Sequence, residues 1–478
     1  MAWWGLALCR GIGGRFAAER AEAIHKALAL AEGMTDREQR YIVAASLLAD
    51  KGPANGRHAF IREMESLIDR YPEDAEARLL LAGFLMEGYE WDGRPCAGQP
   101  YAQALLRDLL RTHPHHEGVH FAWVAAMMGS SRPETAKDSA LWLLAFLPQS
   151  SPCLVAAGRL LQRIGLAEQA REALQRAIET DDAWLAREKL PVNAAPCAVE
   201  ALRLLVTSCA EAGQYTQGQA WARRLRSRVE AAADRQAVVL VACTLSGLHQ
   251  RFGFCRAAAD VHVELGEAAT VAERGLLDGL RRYTRGVSAL EAGRLMDAER
   301  ACEGLGLLQV ALSEERRADG YSLCPRDVGR VVEVAAEELR GALDARRGDA
   351  ARAEATLIRA VRLERRLRTA GPAPFSRPAR ETLARARLRF GREDKALELA
   401  LELVAQRPAS GHACFLVAEA RVAMECFPEA VLDFSAVLER WAQADPQLPE
   451  LKRARMFVAG RERRSRVEHC PAELGTAP

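Results

Sequence analysis

A chain of 478 residues with 66 basic and 64 acidic side chains carries a formal net charge of only +2, so no global field recruits nucleic acid or a membrane surface. Apolar residues make up 49%, charged 27% and aromatic 6% of the chain, with Ala, Leu and Arg prominent and β-branched runs scarce. That composition predicts a soluble, mainly helical protein, and the length favours several domains or one elongated array over a single globular core.

The first residues, Met1 to Leu8, read as an apolar helix that contains Trp3 and Trp4. No basic start precedes it, and Leu8 stands where a lipoprotein signal needs a small residue before Cys9, so export is not predicted. The helix looks like the first of a pair, and this predicts a partner helix upstream of Met1. Thr35-Asp-Arg-Glu38 is a capping box opening a helix through Tyr41 to Leu48, Lys51 to Gly56 predicts a flexible turn, and Tyr71-Pro-Glu-Asp74 starts the next helix. Gly88 to Pro100 predicts a Gly- and Pro-rich loop, in which Trp91 is a candidate anchor for a partner. The other tryptophans lie in helical patterns and are expected to fill grooves between helices. The longest apolar runs, such as Leu141 to Leu147, fall far short of the roughly 20 residues that span a bilayer. The twelve cysteines are scattered singly, with no Cys-x-x-Cys pair, which fits a reducing cytoplasm.

His113-Pro-His-His-Glu-Gly-Val-His120 is the one stretch with catalytic spacing. His116 and His120 are one helical turn apart with Glu117 between them, the string in which two histidines bind zinc and the glutamate activates water. Pro114 places the string at the first turn of a helix, and Gly118 weakens that turn. A third ligand would have to come from Glu134, Glu168 or Glu172, and nothing in the sequence selects one. The expectation is therefore a helix start decorated by histidines, with no metal and no cofactor. A zinc-dependent hydrolase on His116, Glu117 and His120 is the alternative.

From Leu154 to Ala177 two amphipathic helices carry small residues wherever their backbones must meet. Leu154, Gly158 and Leu161 line the first, Gly165 breaks it, and Ala170 and Ala177 line the second. The pattern returns around Gly213, Gly293, Gly348 and Gly391, and Ala430 repeats Ala396 at a spacing of 34 residues. This resembles the tetratricopeptide repeat, whose stacked helix pairs bury a continuous core and leave a concave surface for a partner. The spacing is irregular, 48 residues from Gly165 to Gly213 and 80 from Gly213 to Gly293, which predicts intervening loops or degenerate helices. From Met1 to the closing Trp441 to Leu451 segment the chain is similar to a divergent branch of that family. Relatives in this branch carry paired-histidine helices, and those histidines are largely lost here. The resemblance implies a repeat scaffold and no reaction.

Between Arg362 and Arg392 ten arginines face only Glu364 and Glu381. Such a stretch fits either a solvated, salt-bridged surface or a grip on an anionic partner, for which Arg377, Arg380, Arg385 and Arg389 are the candidates. The basic segment from Lys452 to Arg466 is expected to be a solvated final helix. Taken together, the sequence predicts an all-α, tetratricopeptide-like α-solenoid of about six to eight antiparallel pairs. Its segments are expected at 1–100, 101–230, 231–370 and 371–478. The expected role is a non-enzymatic cytoplasmic scaffold for a protein or peptide partner on the concave surface. Nucleic acid through the arginine stretch is a less favoured alternative, and no membrane contact is predicted.

Overall fold

The computed structural model describes residues 1–9, 17–50, 52–90, 94–195, 197–232, 235–261, 270–314, 325–367 and 377–468. The described chain is all-α apart from one isolated β-bridge. It forms two compact units, divided after Leu147.

The first unit holds α1 (Ala2–Cys9), α2 (Ala17–Ala29), α3 (Asp36–Asp50), α4 (Gly52–Arg70), α5 (Ala75–Leu85), α6 (Gln99–Thr112), α7 (Glu117–Met127) and α8 (Lys137–Phe146). The capping box at α3 is formed: the Glu38 amide donates to the Thr35 hydroxyl at 3.3 Å, and the Thr35 amide donates to the Glu38 carboxylate at 3.1 Å. Of the turn expected at Lys51 to Gly56, Lys51 lies outside the described residues and Gly52 to Gly56 open α4 instead. A proline in the first helical turn gives up no hydrogen bond, and at Gly56 a Cβ would come within 2.7 Å of the Leu47 carbonyl oxygen. The glycine there serves a close approach of α4 to α3. Asp74 caps α5, accepting from the Ala77 amide at 3.0 Å and from the Tyr41 hydroxyl at 2.9 Å.

The second unit begins with seven pairs: α9 (Ser151–Arg163) with α10 (Ala167–Glu188), α11 (Cys197–Glu211) with α12 (Tyr215–Ala232), α13 (Arg235–Arg251) with α14 (Cys255–Ala259), α15 (Val271–Glu291) with α16 (Leu295–Glu314), α17 (Pro325–Arg347) with α18 (Ala350–Arg365), α19 (Ala379–Arg389) with α20 (Glu393–Gln406), and α21 (Gly411–Ala423) with α22 (Phe427–Arg440). The last helix, α23 (Pro449–Glu468), follows.

One turn geometry joins every pair. Gly165, Gly213, Gly253, Gly293, Gly348 and Gly391 have φ between 66° and 89°, and Glu425 has φ 60°. The amide after each of these residues bonds the carbonyl five positions back, as in Leu166 to Leu161 at 2.9 Å and Cys426 to Arg421 at 2.9 Å. This left-handed cap satisfies a carbonyl that the helix end would otherwise leave orphaned. Gly253 lies 40 residues from each of Gly213 and Gly293 and marks a further pair between them. The second helix of that pair, α14, is only five residues long, a degenerate helix of the kind expected there.

Small residues mark the crossings. A Cβ at Gly158 would lie 2.9 Å from Leu174 Cγ, and one at Gly341 would lie 2.5 Å from Leu357 Cγ. Leu154, Leu161, Ala170, Ala177, Ala396 and Ala430 are all buried. First helices of successive pairs pack on one another from α9 through α21. This layer carries the polar interior of the unit. No described helix is long and apolar enough to cross a membrane.

Candidate functional site

The zincin-like string lies in the first unit, at the start of α7. His116 Nε2 is 3.0 Å from Glu76 Oε1. His120 is buried, with Nδ1 3.0 Å from the Ser139 hydroxyl and Nε2 2.8 Å from the Pro114 carbonyl oxygen. A carbonyl only accepts, so Nε2 carries a proton, and in the neutral ring Nδ1 accepts from Ser139. Its ring also stacks on Trp142 at 4.2 Å. Both ring nitrogens are therefore engaged, and neither offers a free lone pair to a metal. Among the described residues no group of three or more His, Cys, Asp or Glu side chains is placed to hold a metal ion.

Trp91 lies outside the described residues. The flanks of its loop are pinned, because Tyr89 pairs with Pro95 and the Gln99 side chain bridges the Gly88 amide at 2.9 Å and the Ala126 carbonyl at 2.8 Å.

The four candidate arginines all lie at or near α19 in the second unit, and the helix sorts them. Arg377 donates to the Gln250 carbonyl at 3.0 Å, and Arg380 donates to the Gln406 side chain at 2.6 Å. Arg385 is 40% exposed, 3.4 Å from Glu381 and 3.7 Å from Glu450, and Arg389 is exposed. Two are thus turned into the frame of the unit and two stay at its surface.

Beneath them lies a buried ionic core that local sequence patterns do not reveal. Arg251, at the end of α13, donates to Glu381 at 2.7 Å and to Glu211 at 3.1 Å. Glu211 also accepts from Arg407 at 2.6 Å and from the Ser410 hydroxyl. The Trp441 indole donates to the Glu211 carbonyl at 3.1 Å, and His412 packs against that indole, 3.3 Å from the Ala210 carbonyl. Burial pushes the Glu211 carboxyl up, but Arg251 and Arg407 outweigh it and hold it at about 2. The same contest leaves Glu381 well below the ordinary carboxylate range. Burial and the nearby Arg251 charge hold the His412 imidazole below its ordinary value.

A second cluster adjoins the first. Glu338 of α17 accepts from the Tyr283 hydroxyl of α15 and, at 2.5 Å, from the Thr382 hydroxyl of α19. Burial pushes its carboxyl up despite both donors. Glu364, at the end of α18, accepts the first amide of α19 at 3.1 Å on both oxygens, and burial raises it to about 7.

The core extends into packing. Val206, Ala210 and Leu248 share one apolar cluster with Phe415, Phe434, Trp441 and Leu448. At the turns, the Asp445 backbone amide donates to the Gly213 carbonyl at 2.8 Å, and the Arg163 side chain donates to the Gln406 carbonyl at 2.6 Å. The second unit thus closes on itself, and its early pairs are bonded to its late ones. Chemically this interior is a set of opposed charges, with the hydroxyls of Ser410, Thr382 and Tyr283 donating to its carboxylates. Burial lifts the thiols of Cys243, Cys255 and Cys302 to about 12, far from the reactive thiolate range.

No family model matches the chain, and no curated protein matches it. Among solved structures, yeast Tom70 aligns at 12% identity and TM-score 0.38, over 98% of this chain and 97% of its own. Human IFIT1, as a dimer with m7Gppp-AAAA, aligns at 11% identity and TM-score 0.42, over 90% and 87%. The P58(IPK) TPR domain aligns at 14% identity and TM-score 0.23, over 81% and 99%. Similarities this distant bear on neither ligand nor partner. The repeated hairpin, its shared left-handed turn and its small-residue crossings make the second unit a tetratricopeptide-like array of antiparallel helix pairs.

Proposed function

We propose that the chain is a non-enzymatic scaffold that holds a protein or peptide partner on the layer of first helices, with an acidic segment of that partner lying along the exposed edge of α19. The observation that carries this reading is the sorting of the arginines. Arg377 and Arg380 are fixed into the unit, whereas Arg385 and Arg389, four residues apart on one helix, are exposed, Arg385 while also paired with Glu381 and Glu450. A rigid element that displays charge at helical spacing suits recognition of carboxylates. Trp91 remains the proposed apolar anchor of the first unit.

Fluorescence anisotropy with a labelled Glu-rich peptide tests this reading. Exchanging both Arg385 and Arg389 for Glu should weaken binding about tenfold or more, with a marked salt dependence in the wild type. Undiminished binding by the double variant refutes the assignment. Single-stranded RNA that competes better than the acidic peptide replaces the protein partner with a polyanion.

A further inference from the structure

The second helix of the second pair carries Arg223, Arg224, Arg226 and Arg228 within six positions. Trp221, Arg224 and Arg228 stand at i, i+3 and i+7, so they share one flank of α12. On the neighbouring α10, Arg171 and Asp182 are three turns apart and share a face. The two flanks meet at Asp182, which accepts from Arg224 at 2.5 Å and from Nη1 of Arg228.

Donors and acceptors along this seam do not balance. One carboxylate serves two guanidinium groups. Arg228 has a side chain only 9% exposed, and its Nε and Nη2 are both buried without an acceptor. The indole nitrogen of Trp221 and Nε of Arg171 are in the same state. All of these atoms are donors. A buried charged donor without an acceptor is among the costlier features a fold can keep. The two free nitrogens of Arg228 are also its side-on pair, whose parallel N–H bonds match two oxygens of one planar or tetrahedral anion.

We propose that the seam between α10 and α12 is an oxyanion site, in which the Nε and Nη2 edge of Arg228 takes two oxygens of a carboxylate or phosphate group. Asp182 holds the opposite edge of the guanidinium and so sets the direction of the fork. Arg224, bonded to the same Asp182 and 5.8 Å from the Trp221 ring centroid, adds positive charge beside the fork. The site lies on second helices and is independent of the α19 surface.

The test is the melting temperature of the full chain at constant ionic strength, with chloride replaced stepwise by inorganic phosphate in one arm and by glutarate in the other. A saturable rise of several degrees in one arm is expected, and that arm identifies the chemistry as phosphate or carboxylate. Arg228→Met should abolish the rise. Arg228→Lys keeps the charge without the fork and should also lose it, so the lysine variant decides the matter if the methionine variant does not fold. The proposal fails if neither anion raises the melting temperature above chloride, or if the rise persists in Arg228→Lys.

Discussion

Arg251 and Glu381 are bonded at 2.7 Å across 130 positions of sequence, with side chains only 3% and 4% exposed. Arg251→Met would take from Glu381 its shortest ion pair and leave Glu211 with Arg407 and Ser410 alone, and breaking a buried network from one side typically costs about 3–5 kcal/mol. Urea unfolding should show this loss. Adding Glu211→Gln and Glu381→Gln to the methionine variant should recover part of it, because the two buried carboxylates are then neutral, while Arg407 and Arg385 each lose a charge partner. The folded-state carboxyl of Glu211 lies near 2, below its ordinary 4.5. Its contribution is therefore present above about pH 4.5 and is lost as pH falls towards 2, and wild-type stability should fall more steeply over that window than that of the triple variant.

Glu364 has the opposite sign. Its folded-state carboxyl is raised from 4.5 to about 7, so the unfolded chain releases the proton first and the folded state loses ground as pH rises from 4.5 to 7. Glu364→Gln keeps a carbonyl oxygen for the Ala379 amide and removes the titration. The variant should match wild type near pH 4 and melt several degrees higher at pH 8. Equal melting differences at both pH values would refute the linkage.

Glu425 occupies the left-handed position that glycine fills in the six other pairs of the second unit. A side chain there costs about 1 kcal/mol in the folded state, and glycine repays part of that through a more flexible unfolded chain. Glu425→Gly should raise stability by about 0.5–1 kcal/mol on balance. The reverse change at Gly348, where φ is 85°, should lower it by a similar amount.

His120 should behave as a core residue. His120→Ala removes two hydrogen bonds and the Trp142 stack, and should cost about 2 kcal/mol whether zinc or chelator is present. Protein purified without a histidine tag should contain no stoichiometric zinc, as elemental analysis would show. One equivalent of zinc that disappears in His120→Ala would restore the hydrolase alternative.

Gly158→Leu and Ala430→Leu test the crossings. Each adds bulk where no space exists, Gly158 against Leu174 and Ala430 at a fully buried position, and overpacking of this kind costs about 1–3 kcal/mol or more. Thermal melts that match wild type for both variants would show that the crossings are placed wrongly.

The repeat was legible because its constraints are local. A left-handed turn selects glycine, and a close crossing selects glycine or alanine, so both leave marks at fixed offsets along one segment. Gly253 is hard to read in the sequence because α14 is only five residues long and supplies no second amphipathic stripe; its 40-residue spacing to each neighbouring turn is the available sign. Gly56 is ambiguous because glycine at a crossing and glycine at a turn look alike in sequence. The ionic core could not be read at all. Glu211, Arg251, Glu381 and His412 come from four helices, and nothing in the periodicity of any one of them specifies which distant charge it meets. The sorting of Arg377 and Arg380 from Arg385 and Arg389 depends on those same distant partners.

An open repeat array is quasi-one-dimensional: each repeat touches only its neighbours, ends fray independently, and stability adds up pair by pair. The bonds from Gly213 to Asp445 and from Glu211 to Arg407 and Ser410 break that rule in the second unit. Loss of the pair α21 and α22 would strip the cover from Val206, Ala210 and Leu248, far away in sequence, so damage at the late end propagates to the early one. The unit is therefore expected to melt in a single cooperative step, and a nascent chain should gain the full stability of its early pairs only after residues beyond Trp441 have been synthesised.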